Sequence, residues 1–436
     1  MLSNKGISFR NLTFLLISVV FWVALVIYYN SSVSLNNKLV VFSIILNILN
    51  IVLIFQTHKI PTMLIFSIFI YNYSYIFTIP AFFPYTKISG VGNYNNNDLL
   101  LLVLFQLLIG MFALNYLFFI NKEKFIQNRF LCDNFDEFNM RKNNLIYIFG
   151  IIGYLFFLLL NNSGKQYNLP FSITFEYILI FIILVKLFSE NNLINKIIIH
   201  IMIVLVCIKT LVYSGRIEVV ESLLLLFIFY YEKKIKALWI IIGSFSLNIF
   251  MEYLFIARNT AGDSNWQTSK IFFDRSNPPT LILGNEGDVT QSSMAMVGVI
   301  QDNTVSFAQR IDSFFDMIFS QFFPVGSIEL FQGSNVSRYI QEFAVTLGGG
   351  YIYSQWYFWL GIFGVILASI LINKVIKLAY FEKKRIIITI TCIYSIVLFS
   401  RWYAYFFDFL IKIPFLLFIL LIIFKMLYPK REKNNV

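Results

Sequence analysis

The chain has 436 residues, 58% of them hydrophobic, 19% aromatic and only 13% charged, which leaves too little polar surface to clothe a soluble globule. Its formal charge of +11, from 34 Lys and Arg against 23 Asp and Glu, is no pointer to nucleic acid, because in a membrane protein the spread of charge over the loops carries the meaning. Cys132, Cys207 and Cys392 have no metal-type spacing, which argues against a disulfide framework and a zinc site.

Apolar runs of roughly 16 to 22 residues recur along the chain, close to the ~20 that cross a hydrocarbon core. Spans are predicted over 11–29, 39–55, 60–79, 99–120, 145–160, 173–188, 197–213, 217–231, 237–256, 353–372, 386–400 and 406–424. The expected fold is an all-α polytopic integral membrane protein with about 12 transmembrane helices. Nine spans fill 1–256, one large external loop fills 257–352, and three spans with a cytoplasmic tail fill 353–436. Lys5 and Arg10 precede the first run as in a signal peptide. No small-residue cleavage pattern follows, and Trp22, Tyr28 and Tyr29 suit an interfacial anchor, so this run reads as a retained span.

Placing the N-terminus inside returns the C-terminus inside and puts 22 of the 34 cations on the cytoplasmic side, as the positive-inside rule asks. Lysine carries this signal, with 17 of 23 inside. Arginine runs against it: Arg216, Arg258, Arg275, Arg310, Arg338 and Arg401, six of eleven, fall outside. Scatter in small numbers is one explanation; a ligand held on the outer face by planar guanidinium forks is the other.

In chain order, the loop 30–38 contains no acidic residue, 81–98 is turn-rich and Asn-heavy, and 121–144 is a mixed-charge connector. Ser214, Gly215 and Arg216 form a short turn between two spans, with Glu218 and Glu221 on the next helix, where carboxylates suit its positive dipole end. Arg216 can pair with those glutamates, snorkel to lipid phosphate, or hold a ligand. The long loop carries five cations, four of them arginines, against nine carboxylates. Within it, Val305, Ala308, Ile311, Phe315, Ile318 and Phe322 recur at helical spacing, which predicts an amphipathic helix over 304–323 that lies flat on the outer leaflet or covers a cavity between spans.

A second helix is predicted over 336–347, started by Ser334 or Asn335 and stopped by Gly348, Gly349 and Gly350. It puts Arg338 and Glu342 four apart on one face. That spacing makes a local ion pair, or an arginine that steadies an anionic leaving group beside a carboxylate that takes a proton. Arg401 stands at the outer junction of the last two spans, and Asp408 with Lys412 reads as a structural pair inside the twelfth. Glu176, Lys209 and Glu252 are buried charges with no partner assignable from sequence.

About twelve spans, the Ser214-Gly215-Arg216 turn, and one large external loop ahead of the last three spans together resemble the bacterial O-antigen and capsule repeat-unit polymerases of the Wzy type. The arginine-to-glycine pattern of that family is matched once, from Arg338 to Gly349, and Arg258 stands where family members place an arginine just outside a span. A second copy of the pattern is absent at Arg216, Arg258 and Arg275. The resemblance implies transfer of a growing glycan from undecaprenyl pyrophosphate to a hydroxyl of the next lipid-linked repeat unit. Arg216, Arg258 and Arg338 would meet the pyrophosphate, Glu342 would act as base, and Arg310, Arg401 and Gly349 would be further substrate contacts. The expected partners are the lipid-linked oligosaccharide, membrane lipids, a chain-length regulator and a flippase, with no cofactor, no metal motif and no nucleic acid.

Three other readings compete. A lipid-linked oligosaccharide flippase would show internal repeats and short loops, neither of which is found. Polyprenyl-phosphate glycosyltransferases with an acidic first external loop are disfavoured by 30–38. An O-antigen ligase carries a histidine in its large external loop, whereas His58 and His200 are predicted on the inner side.

Overall fold

The computed structural model describes residues 9–78, 87–88, 94, 96–120, 131, 144–160, 174–190, 192–212, 217–247, 273–274, 280–281, 285–322, 331–346, 349–381, 386–405, 407–410, 419 and 422. Helices stand where the apolar runs predict them: α1 (Phe9–Asn30), α2 (Leu35–Thr57), α3 (Pro61–Ser74), α4 (Asn97–Ile120), α5 (Asn144–Leu160), α6 (Thr174–Phe188), α7 (Leu193–Val212), α8 (Ile217–Tyr230) and α9 (Ala237–Leu247). Beyond them lie α10 (Asn285–Gln301), α11 (Phe307–Ser320), α12 (Val336–Ile340), α13 (Ile352–Phe381), α14 (Ile386–Val397) and α15 (Phe399–Ala404). The last predicted span, 406–424, falls mostly outside the described residues. Four helical stretches, Leu35–Thr57, Asn97–Ile120, Leu193–Leu211 and Ile352–Tyr380, are long and apolar enough to cross a membrane, and five shorter apolar helices accompany them.

Where the apolar side chains point supports a membrane setting. α2 exposes Ile44, Ile48, Ile51 and Phe55, α5 exposes Ile148, Ile152, Phe156 and Leu159, and α7 exposes Ile194, Ile197, Ile201 and Ile208. Stripes of this length face acyl chains at no cost and water at a large one. The chain is a membrane-embedded helical protein. At its centre α4 packs against α2 and α13. Gly110 of α4 leaves room for the Tyr353 ring, and its carbonyl accepts the Ser369 hydroxyl at 2.9 Å, so the two backbones approach as small residues allow in a bundle. The described part of α13 changes direction at Gly361, whose φ of +62° suits glycine.

The segment expected as one external loop is only partly a loop. α10 packs against α4, α13, α12 and α3, and Val289, Met294, Met296, Val297 and Val299 are buried with Thr290, Gln291, Ser292 and Ser293. Two of its hydroxyls find partners: Thr290 Oγ1 lies 3.0 Å from the Tyr351 hydroxyl, which donates to the Tyr73 carbonyl at 2.6 Å, and Ser293 Oγ accepts from Tyr351 N at 3.0 Å. Buried hydroxyls paired in this way avoid the desolvation penalty of unmatched ones. Two connecting segments are also tied together by three two-residue strands. β1 (Lys87–Ile88) runs parallel to β3 (Thr280–Leu281), and β2 (Phe273–Asp274) runs antiparallel to it.

α12 corrects the expected helix over 336–347, because it stops at Ile340. Past that point the backbone bonds tighten from i−4 to i−3, with Gln341 N donating to Arg338 O, Glu342 N to Tyr339 O and Phe343 N to Ile340 O. Ser337 Oγ then donates to Gly349 O at 2.7 Å and Gly350 N to Ala404 O at 2.9 Å, folding the chain back on the bundle.

A topology prediction follows from this burial and the cation asymmetry. In a cysteine-free background, Thr304→Cys, exposed in the turn between α10 and α11, is expected to react with a membrane-impermeant maleimide in intact spheroplasts, whereas Ser292→Cys stays protected. Reaction of Thr304→Cys only after permeabilisation would reverse the orientation.

Candidate functional site

α11 supports the turn that leads into the candidate site. It begins with a capping box, Ser306 Oγ accepting from Gln309 N while the Gln309 side chain accepts from Ser306 N. Its Phe314 ring sits against Trp356 and Trp359 of α13, with centroids 6.1 and 5.6 Å away, and Trp359 Nε1 donates to Ser313 Oγ at 3.2 Å. Ser313 Oγ donates to Gly333 O at 2.7 Å, and Asp316 Oδ2 accepts from Gly333 N at 3.1 Å. A Cβ on Gly333 would fall 2.8 Å from Ser313 Cα, so glycine is required for this close approach.

α12 follows this turn and presents Arg338 to solvent, its own N–H capped by Asn335 Oδ1 at 3.1 Å. Tyr339 is half-buried, edge-on to Phe343 with centroids 5.3 Å apart. Burial pushes its hydroxyl pKa up, and the negative charges of Glu342, Asp312 and Asp316 push it further the same way. Those three carboxylates therefore share one patch with Tyr339. Glu342 is exposed and lines an open cleft of about 390 Å³ with Tyr94, Gln341, Phe343, Ala344, Val345 and Thr346. Arg338 and Glu342 form no ion pair, because the helix that would align them has ended.

The remaining expected contacts divide. Arg310 is partly buried on α11, donates from Nη1 to Phe358 O at 3.2 Å, and lies 5.2 Å from the Phe307 ring centroid. Burial pulls its pKa down from the usual value for arginine. Gly349 is buried, with φ of +32°, against Ala404 and Tyr405, which gives it a backbone role at the turn. Arg216 and Arg258 lie outside the described residues.

Arg401 has a structural partnership that the sequence reading did not anticipate. Its Nη2 bonds Glu218 Oε1, its Nε lies 3.6 Å from Glu221 Oε1, and Ser400 Oγ donates to that same oxygen at 2.9 Å. Glu218 and Glu221 are three residues apart on one face of α8, and Glu221 is 0% exposed. The two glutamates are thus bound across the bundle to α15, beyond any service to the helix dipole of α8.

Sequence reasoning missed α10, the part played by Tyr94, and the gathering of Asp312, Asp316 and Glu342 around Tyr339. The i, i+4 spacing of Asp312 and Asp316 was the one available signal for that patch. Among the described residues, no group of three or more His, Cys, Asp or Glu is placed to hold a metal ion. An open cleft with a carboxylate, an amide, a threonine and aromatic edges suits a hydroxyl-rich ligand. The negative charges of Glu342, Asp312 and Asp316 at Tyr339 disfavour a pyrophosphate resting on this patch itself. No family model, no curated protein and no solved structure matches the chain.

Proposed function

We propose that the protein is a polymerase of undecaprenyl-pyrophosphate-linked oligosaccharide repeat units, acting on the outer face of a bacterial cytoplasmic membrane, with about 12 spans and both termini in the cytoplasm. The observation that carries this reading is the cleft of about 390 Å³ with Glu342 in its wall, in a polar segment folded onto a membrane bundle. The resemblance to O-antigen and capsule polymerases of the Wzy type supplies the reaction.

In that reaction, the bond between the glycan's anomeric carbon and the pyrophosphate oxygen breaks, and a new bond forms from the same carbon to an acceptor hydroxyl. Glu342 takes the hydroxyl proton. Undecaprenyl pyrophosphate leaves as an anion, and guanidinium groups steady it as charge develops. The acceptor sugar is assigned to the cleft and the pyrophosphate to the arginines, with Arg338 at the border and Arg216 and Arg258 completing the set. Arg401 is reassigned from substrate contact to positioning, because Glu218 and Glu221 hold it.

Deletion of the gene tests the reading. A strain without the polymerase is expected to export single repeat units and, where a ligase exists, attach them to the surface anchor. Single units stranded on the inner leaflet would identify a flippase instead. Long chains accumulating on the lipid carrier would identify a ligase and remove the polymerase reading.

A further inference from the structure

Successive residues of a helix turn by about 100°, and on that wheel the side chains of α11 fall into three sectors. Phe307, Phe315 and Phe319 share one sector with Ile311 and are 62%, 50% and 51% exposed, and Phe322 in the following turn is 58% exposed. Gln309, Asp312 and Asp316 make a second, polar sector. Ser313, Met317 and Ser320 are buried in the third, where Phe314 seats on Trp356 and Trp359.

A helix on the surface of a soluble protein needs two faces, one for the core and one for water. The third, a ridge of phenylalanines left open, is favourable only where acyl chains meet it. Two further observations fit a lipid contact. The helix that holds α11 in place, α13, itself exposes Ile362, Phe363, Ile366 and Ile370 just past its kink at Gly361, so α11 docks one step beyond a lipid-facing ridge. Arg310 stands between the buried and phenylalanine sectors with its guanidinium over Phe307, the pairing of cation and aromatic ring favoured at headgroup level.

We propose that α11 is an interfacial helix: one side is docked on α13, the phenylalanine side lies in the acyl chains of the outer leaflet, and the Gln309–Asp312–Asp316 side faces water. Its occupant is lipid, rather than a second copy of the chain. The inference stands apart from the polymerase reaction, since it needs only the three sectors and a membrane; naming the leaflet as the outer one rests on the proposed orientation. It also decides between the two roles open to this helix in the sequence, in favour of the one that lies on the leaflet.

Spin labelling of the full-length protein in phosphatidylethanolamine–phosphatidylglycerol vesicles tests it. Gln309→Cys, Asp312→Cys, Phe315→Cys and Phe319→Cys are labelled singly in a cysteine-free background, two positions on each side so that one poorly folding variant decides nothing. The ratio of oxygen to nickel-chelate collision rates is expected to be several-fold higher at 315 and 319 than at 309 and 312. Equal ratios on the two sides would put the phenylalanines in water and overturn the proposal. Low collision rates with both reagents at 315 and 319, with dipolar broadening between labels, would put a second copy there and overturn it equally.

Discussion

Replacing Glu342 by Gln is expected to reduce polymer formation by roughly 10²–10⁴-fold, the usual contribution of a positioned general base. Arg338→Ala is expected to cost roughly 10²–10³-fold, as for loss of one charge-stabilising donor, with Arg338→Lys intermediate because it keeps the charge and loses the fork. Both residues are exposed and neither is ion-paired, so these substitutions should leave folding within about ±0.5 kcal/mol. The loss would then be catalytic rather than structural. Measuring chain-length distribution and protein level in the same cells separates the two. Full-length polymer from both Glu342→Gln and Arg338→Ala at normal expression would remove the cleft from the mechanism.

The second large effect concerns stability. Arg401→Ala removes the guanidinium that bonds Glu218 and lies beside the buried Glu221, and breaking a buried pair in this way typically costs about 3–5 kcal/mol. The expected result is a sharp fall in folded, detergent-extractable protein. Neutralising the other side should restore much of it: Arg401→Met with Glu218→Gln and Glu221→Gln removes the carboxylate charges along with the cation, and such replacements are often neutral. Thermal unfolding of the purified single and triple variants at one protein concentration makes the comparison. An Arg401→Ala protein as stable as the parent would return Arg401 to the candidate substrate contacts.

Helix positions were legible in the sequence because each long apolar run has to bury or lipidate a whole circumference, a demand that leaves a mark on composition. α11 was legible for a related reason, its apolar residues recurring at helical spacing. α10 was not. Its apolar run, 294–300, is too short to mark a span and follows a Thr, Gln and Ser stretch, and its burial depends on partners such as Tyr351 that are far away in sequence. The short end of α12 was hidden for a similar reason, since the Ser337 bond to Gly349 and the Gly350 bond to Ala404 override local helix preference. The arginines that break the lysine pattern were visible as a group, but nothing in the sequence signals that Arg401 is held by Glu218, 183 residues away. Spacing rules read neighbours on one helix and are blind to pairs formed between helices.

The burial of α10 also dictates an order of biogenesis. Two of the helices that enclose it, α3 and α4, are synthesised before it, but α13 emerges from the ribosome afterwards. A helix carrying Thr290, Gln291, Ser292 and Ser293 is a poor substrate for direct release into lipid, where each such group would lack a partner. The full set of walls around these polar groups is complete only once α13 has been made. A nascent chain arrested before Ile352 would lack more than its last spans: it would hold a polar helix with no wall to lean on, the kind of exposed intermediate that membrane proteases remove.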